Sequence, residues 1–306
     1  MRYQITHQTK YSYESIVTLS QQLLFMSPKN FRYQTCISHN IRTEPNPNES
    51  LAGADYFNNI KNYISIFAPH KTLEVSAESI VDVLHRPTLE KLLPSPPWEE
   101  VKAKLSLGHW QEEDPINYLY ASVKAPADEV FSQYAELCFT PNRPLIEAAF
   151  ELTQRIYRDF EFDAESTDIS TPLIDFFTSR RGVCQDFSHL MISCLRSLGL
   201  ACRYVSGYIL TTPAAGQPRL IGADASHAWV SVYCPVNGWV DFDPTNYCLV
   251  NDQHITVAWG RDFNDVSPMR GTVLGGGKQT LDVSVTMTPV FDHELSIQLP
   301  LNVGNG

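Results

Sequence analysis

The sequence predicts an α+β protein, with an N-terminal all-β domain followed by a core in which helices precede antiparallel strands. Three observations carry this. Residues 1–85 alternate apolar and polar side chains with a period of two. Residues 144–198 repeat apolar positions every three to four residues, and from residue 201 the period of two returns. A period of two marks a half-buried strand and a period of 3.6 an amphipathic helix.

In the first region Tyr3, Ile5, His7, Thr9 and Tyr11 alternate with Gln4, Thr6, Gln8 and Lys10. Val17, Leu19, Gln21, Leu23 and Phe25 continue the pattern. Leu73, Val75, Ala77, Ser79, Val81 and Val83 stand against Glu74, Ser76, Glu78, Ile80 and Asp82. Residues 1–85 therefore read as one β domain. Arg86-Pro87 and the run Pro94-Ser95-Pro96-Pro97 cannot extend a helix or a central strand. Residues 86–125 are expected to form a linker, with a short helix near Trp98 to Leu105. Residues 126–306 are assigned to the core and end in a β segment, where Leu281, Val283, Val285 and Met287 alternate.

Within the core, Leu145, Ala148, Ala149, Leu152 and Ile156 share one helix face. A short helix follows, with Thr171 as cap, Pro172 in the first turn and Gly182 just past the end. The next helix runs from Cys184 to Leu198, its buried stripe made by Phe187, Leu190, Met191, Cys194, Leu195 and Leu198. Gly199 supplies its left-handed stop and Leu200 the hydrophobic contact back to the last turn. Strands are expected at 201–210, 226–234 and 239–243.

Composition narrows the function classes. With 23 Lys+Arg against 34 Asp+Glu, the formal net charge is -11 and no basic run stands out. Nucleic acid and anionic membrane are thereby disfavoured as partners. The N-terminus shows no apolar h-region and no run reaches the length of a membrane span, so a cytoplasmic location is expected. Exposed edges in the N-terminal β domain would allow a homo-oligomer. The seven Cys form no C-x-x-C pair, which argues against a zinc site and against a disulfide framework. Neither metal nor cofactor is expected.

Cys184 stands apart from the other six. It lies three residues before Phe187, on the buried stripe, and in the first helical turn. There the unpaired backbone N–H groups and the positive end of the helix dipole favour a thiolate. A thiolate nucleophile needs a base, and the base an orienting group. His227 opens the strand Ser226-His-Ala-Trp-Val-Ser-Val-Tyr233, and Asp243 ends the strand after it. An antiparallel pair can bring these two together. A two-residue turn at Asn237-Gly238 would pair residue 232 with 243 and leave His227 five residues, ~16 Å, away. A longer loop or a bulge is then required. Asn246 is a fallback orienter. His189 is a rival base but lies about 140° around the helix from Cys184. A buried Cys, a core His and a strand-end Asp that never meet fit the same spacing.

At these residues the sequence resembles a known family. Arg181-Gly-Val-Cys-Gln-Asp-Phe-Ser-His189 is similar to the G-V-C-Q-D-F-A-H signature of bacterial transglutaminase-like proteins. Ser226-His-Ala-Trp-Val230 and Gly238-Trp-Val-Asp-Phe-Asp-Pro-Thr-Asn246 resemble that family's second and third motifs. The β-rich N-terminus, and Ala258-Trp-Gly-Arg-Asp-Phe-Asn-Asp-Val266, resemble the segments that precede and follow this core in the same proteins. The resemblance implies a papain-like core, a helix packed on an antiparallel sheet with Cys at the helix tip. It places the triad on Cys184, His227 and Asp243 and implies acyl-thioester chemistry. Animal transglutaminases resemble the family too but use calcium and a Trp well upstream of the Cys; no Trp lies between residues 111 and 228 here, and no acidic calcium loop occurs. The expected activity is hydrolysis of an amide or isopeptide bond in a peptide or protein, the alternatives being transamidation at glutamine or a non-catalytic binding module. Gln185, Trp229, Trp239 and Arg261 are candidate substrate-binding residues, with Arg261 either a carboxylate clamp or a structural partner of Asp262 or Asp265.

Overall fold

The computed structural model describes residues 1–107, 115–211 and 225–290. The N-terminal strands are β1 (Arg2–Leu24), β2 (Gln34–Glu44), β3 (Glu49–Ala54), β4 (Ile60–Ile66) and β5 (His70–Val83). Next come α1 (Leu89–Leu92), α2 (Trp98–Leu107), a 3-10 turn at Pro115–Tyr118, α3 (Glu129–Glu136) and α4 (Leu145–Asp159). The chain continues through β6 (Glu161–Phe162), α5 (Leu173–Ser179), β7 (Arg181–Gly182) and α6 (Cys184–Ser197). It then forms β8 (Cys202–Ile209), β9 (Ala225–Cys234), β10 (Gly238–Asp243), β11 (Cys248–Leu249) and β12 (His254–Gly260). It ends with α7 (Phe263–Val266), β13 (Met269–Gly275) and β14 (Gln279–Val290). No helix among the described residues is long and apolar enough to cross a membrane.

The long β1 organises the first sheet. Its first half pairs with β5 on one side and β14 on the other, and its second half lies between β4 and β13. The strand order is β2-β5-β1-β4-β3, with β13 and β14 joined to β1. This corrects the expected division of the chain. The C-terminal β segment was assigned to the core, yet both its strands complete the N-terminal sheet. Alternation identifies a strand but not its neighbour, and β1 needs partners on both edges to satisfy its backbone groups. Of the four alternating residues, Val285 and Met287 are buried, whereas Leu281 and Val283 stay half-exposed beyond the edge of the core.

The expected linker is also more built than an open connection. Leu92, Val101, Leu105 and Ala125 are buried in the main core and Tyr118 under the second sheet. The prolines stop helices there without freeing the chain. Residues 108–114 of that stretch, and 212–224 and 291–306 of the expected core, lie outside the described residues.

The second sheet is antiparallel with order β11-β10-β9-β8-β12. Its two faces differ because side chains alternate. One presents Cys202, Tyr204, Tyr208, Ala228, Val230, Val232, Val240 and Phe242 to Phe187, Leu190, Met191, Cys194 and Leu195 of α6. Each such large apolar side chain contributes about 1.5–3 kcal/mol on burial, so this packing fixes α6 across the sheet. The other face carries Val205, Trp229 and Trp259, covered by Tyr118 and by Phe31 and Phe57 of the N-terminal domain.

That covering is reinforced along β12, the edge strand. The Gln34 side chain accepts from Thr256 N and donates to Thr256 O, both at 2.7 Å. The Asn59 amide does the same for Trp259, at 3.0 and 2.8 Å. Two buried side-chain amides thus stand in for the missing neighbouring strand.

Candidate active site

Cys184 is the first residue of α6 and is partly exposed. The Asp186 carboxylate caps the helix start, accepting from Val183 N at 2.9 Å and from the Thr167 hydroxyl at 2.6 Å. Gly182 was expected just past the end of α5 and lies there, while the left-handed conformation that closes the helix is taken by Arg180 at φ 63. The glycine answers a close approach instead: a Cβ there would lie 2.5 Å from the Phe176 ring and 2.6 Å from the Asp186 carboxylate.

The turn between β9 and β10 has three residues, since Cys234 pairs with Gly238 and Phe242 with Val230. Continuing that register leaves Asp243 two residues from the position opposite His227, not five. The reach is then short, and His227 Nε2 lies 2.7 Å from Asp243 Oδ2. Both are buried, Asp243 completely. Burial alone would lower the His227 pKa, but the charge and hydrogen bond of Asp243, with the hydrogen bond and charge of Cys184, raise it to about 10. Since Nε2 faces Asp243, the contact with Cys184 falls to Nδ1. Burial would raise the Asp243 carboxyl; His227 and His254 hold it well below the usual carboxylate range instead. The structure therefore brings Cys184, His227 and Asp243 together in one chain of contacts.

Asp243 has further partners. Its Oδ1 accepts from Thr245 N at 3.0 Å and Asn246 N at 3.1 Å. Its Oδ2 accepts from Asn246 Nδ2 at 2.7 Å and faces His254 Nε2 at 3.2 Å. Asn246, the fallback orienter, thus binds the carboxylate it would have replaced. His254 was not singled out by sequence reasoning. The available signal was a histidine opening an apolar run, His254-Ile-Thr-Val-Ala-Trp259; a buried histidine there needs a polar partner. Among the described residues, His227, Asp243 and His254 are the one group whose donor atoms could hold a metal ion, all within 4.8 Å of one another. Hydrogen bonds within the group already account for that geometry.

The other candidates are dispersed. His189 is buried and its Nε2 accepts from Phe263 N at 3.2 Å. Burial lowers its pKa to about 3, so it is a neutral acceptor anchoring α7 and is turned away from a base's role. Trp229 is wholly buried, 6.1 Å from the His227 ring and in edge contact with His254 at 5.3 Å. It supports the histidines from beneath and offers no surface to a substrate. Trp239 lies farther along the same face, between Tyr118 and Tyr233, with the Arg203 guanidinium 4.3 Å from its ring centroid. Gln185 is half-buried as the second residue of α6. Arg261 forms a two-pronged pair with Asp265, at 2.9 and 3.0 Å, while Asp262 caps α7 through Asn264 N. Of the two roles considered for Arg261, the geometry displays the structural pair. The remaining cysteines are unpaired, and burial pushes the Cys202 thiol up to about 11 and Cys194 higher.

A Cys at the tip of a helix laid on an antiparallel sheet, with His and Asp on adjacent strands, defines the papain-like α+β class. Comparison with known proteins narrows this. Residues 132–244 match the transglutaminase-like superfamily and residues 3–82 the bacterial transglutaminase-like N-terminal region. An uncharacterized protein of Mycobacterium tuberculosis is 39% identical over 295 residues, covering 94% of this chain and 93% of that protein. One from Mycobacterium leprae is 30% identical over 288 residues, covering 94% and 98%. A protein-glutamine gamma-glutamyltransferase of Pseudomonas aeruginosa is 36% identical over 70 residues, 22% of this chain and 10% of that protein. A solved structure from Cytophaga hutchinsonii, described as a putative cysteine protease, has a similar fold, with TM-score 0.74 and 20% identity over 94% of this chain and 90% of that one. The chain belongs to the transglutaminase-like superfamily and carries the bacterial N-terminal region of that group.

Proposed function

We propose that the protein is a thiol-dependent acyl-transfer enzyme with Cys184 as nucleophile, His227 as proton carrier and Asp243 as orienting carboxylate, acting on an amide or isopeptide bond in a peptide or protein. The observation that carries this reading is the contact chain itself, Cys184 to His227 to a fully buried Asp243 at 2.7 Å. His227 keeps its proton to about 10, so at neutral pH the site rests with a charged imidazolium beside the sulfur.

The thiolate of Cys184 adds to the carbonyl carbon, and the π electrons move to oxygen. The backbone N–H of Cys184, at the helix start, is one donor for that oxyanion. Collapse breaks the C–N bond, and the departing amine takes its proton from His227. A thioester remains. Neutral His227 then removes a proton from water, whose oxygen adds to the thioester carbon. Collapse releases the carboxylic acid and restores thiolate and imidazolium. Asp243 stays ionised throughout and holds the ring with Nδ1 toward sulfur.

Transamidation is the second reading, an amine replacing water in the last step, and the stretch shared with the Pseudomonas gamma-glutamyltransferase favours it. The two separate by mass spectrometry of a glutaminyl peptide incubated with and without a primary amine. Hydrolysis gives the acid in both reactions; transamidation gives the substituted amide only when amine is present. Cys184→Ser should abolish turnover while leaving the fold intact. Activity retained within about ten-fold would sink the nucleophile assignment, because loss of a triad member costs far more. A Cys184 that resists thiol-directed electrophiles at neutral pH would favour a binding module.

A further inference from the structure

We propose that His254 is a positioning residue of this site, a neutral imidazole whose Nε2–H holds the shared oxygen of Asp243 against His227. The inference rests on the reading of Cys184, His227 and Asp243 given above. Asp243 Oδ1 is fixed by two backbone N–H groups of the following turn, which leaves Oδ2 to set the direction toward His227. Oδ2 meets three side-chain nitrogens: His227 Nε2 at 2.7 Å, Asn246 Nδ2 at 2.7 Å and His254 Nε2 at 3.2 Å.

The tautomer follows from the far side of the ring. Asn251 N donates to His254 Nδ1 at 3.4 Å, and Asn251 Oδ1 lies 3.2 Å from the same nitrogen. If Nδ1 carried the only proton, the Nε2 lone pair would face a carboxylate oxygen. If both nitrogens were protonated, two imidazolium ions would share one buried carboxylate with His254 only 1% exposed. Hydrogen on Nε2 alone serves both Asp243 Oδ2 and Asn251 N, while Asn251 Oδ1 accepts from Gln253 N at 2.9 Å and needs no hydrogen from Nδ1. Burial lowers the His254 pKa against the pull of Asp243, with His227 and Arg86 opposing that pull, in keeping with a neutral ring.

The reach of this ring has a visible cause. His254 lies on β12 and Asp243 on β10, with β8 and β9 between them. On β8 the intervening residue is Gly207, opposite His227 on one side and Thr256 on the other. A Cβ there would sit 2.1 Å from Ile255 O and 2.5 Å from the Trp229 ring. The missing side chain leaves the gap through which Trp229 and His254 close over the sheet. The titratable groups facing His254 are Asp243 from β10 and His227 from β9, with the cation Arg86 from the segment after β5; Cys248 of β11 faces Asp243 in turn.

The test uses the rate of iodoacetamide alkylation of Cys184 across pH, together with His254→Phe and His254→Gln. Phe keeps ring volume without a donor, whereas Gln carries an N–H near the position of Nε2. With one donor fewer, Asp243 Oδ2 is free to turn from His227 and the imidazolium beside the sulfur is less firmly held, so His254→Phe should move the acid limb of alkylation to higher pH and slow the neutral-pH rate roughly 10-fold, the low end of what lost outer hydrogen-bond partners cost at metal-bound histidines. His254→Gln should restore the wild-type limb even where its melting temperature is lower. Equal limbs in wild type and His254→Phe, or equal shifts in both variants, would overturn the proposal. Nitrogen-15 NMR of wild type tests it without substitution: the Nε2–H tautomer of His254 is expected across pH 5–8 at ordinary laboratory conditions, and an imidazolium or Nδ1–H form refutes it. If instead wild-type Cys184 reacts no faster than a free thiol and His227→Ala changes nothing, the functional reading fails while the tautomer of His254 is judged separately.

Discussion

Asp241 and Asp243 stand two residues apart on the same face of β10, Asp243 fully buried and the Asp241 side chain 8% exposed, and their partners differ. Asp241 meets Arg86 Nη1 at 2.5 Å and Trp229 Nε1 at 3.4 Å, with Arg203 close by. Burial would raise its carboxyl, and the two guanidinium groups hold it below the usual range. Those partners stay charged at any pH the fold survives. Asp243 is held by His227 and His254, and an imidazole, unlike a guanidinium, can give up its proton. Burial and strand position do not distinguish the two carboxylates. The ability of the partner to titrate does.

Asp243→Asn should sharpen this contrast most. The amide cannot hold the imidazolium, and turnover should fall by roughly 10³–10⁴, measured as kcat/KM on whichever glutaminyl or peptide substrate the mass spectrometry identifies. Asp241→Asn should instead cost stability, on the order of 3–5 kcal/mol by denaturant titration, because it leaves Arg86 as a buried charge without its carboxylate; Cys184 alkylation should survive. Matching losses of activity and stability in the two variants would break the comparison.

The pH dependence of stability is the next effect. His227 has a raised value, so its contribution is complete below ~6.5, the unfolded value, and is lost as pH rises toward about 10. His7 and His189 are lowered by burial, to about 4 and about 3. Their folded forms lose stability as pH falls from ~6.5 toward those values. Asp243, being depressed, loses its share only as pH falls through its own low value. Melting curves across pH should therefore decline on both sides. Asp243→Asn should flatten the alkaline limb and leave the histidine part of the acid limb; an alkaline limb that persists unchanged would contradict the pairing. The smallest effect belongs to Arg261→Lys. That side chain is 53% exposed in its pair with Asp265, so solvent screens the pair and the loss should stay under about 1 kcal/mol with alkylation unchanged. A larger rise in KM than in instability would return Arg261 to the clamp role.

Local patterning made the start of α6 and the strands around His227 and Asp243 legible, because each depends on residues close in sequence. The register was legible only as a condition: a two-residue turn kept His227 and Asp243 apart, and the three-residue turn removes that obstacle. Alternation puts Trp229 on the face of His227 and Trp239 on that of Asp243 but gives no distance along the strands, and the two tryptophans lie in different surroundings. His254 escaped notice because its position depends on β12 joining the far edge of the sheet and on the gap at Gly207, neither of which is a local property. The pairing of β13 and β14 with β1 was hidden for the same reason, since two strands of suitable period do not announce a partner so far along the chain, with Leu24 opposite Met269 and Arg2 opposite Val290.

That last pairing orders events during synthesis. The ribosome delivers β1 first and its outer neighbours β13 and β14 after the entire thiol-bearing core, so one edge of β1 stays open while Cys184, His227 and Asp243 emerge in turn. Strand β12, gripped by Gln34 and Asn59 from the first sheet, is made between the two. A nascent chain stopped before residue 254 carries Cys184, His227 and Asp243 but neither the edge strand nor its grip, so these three side chains are made before the surroundings that seat them are finished.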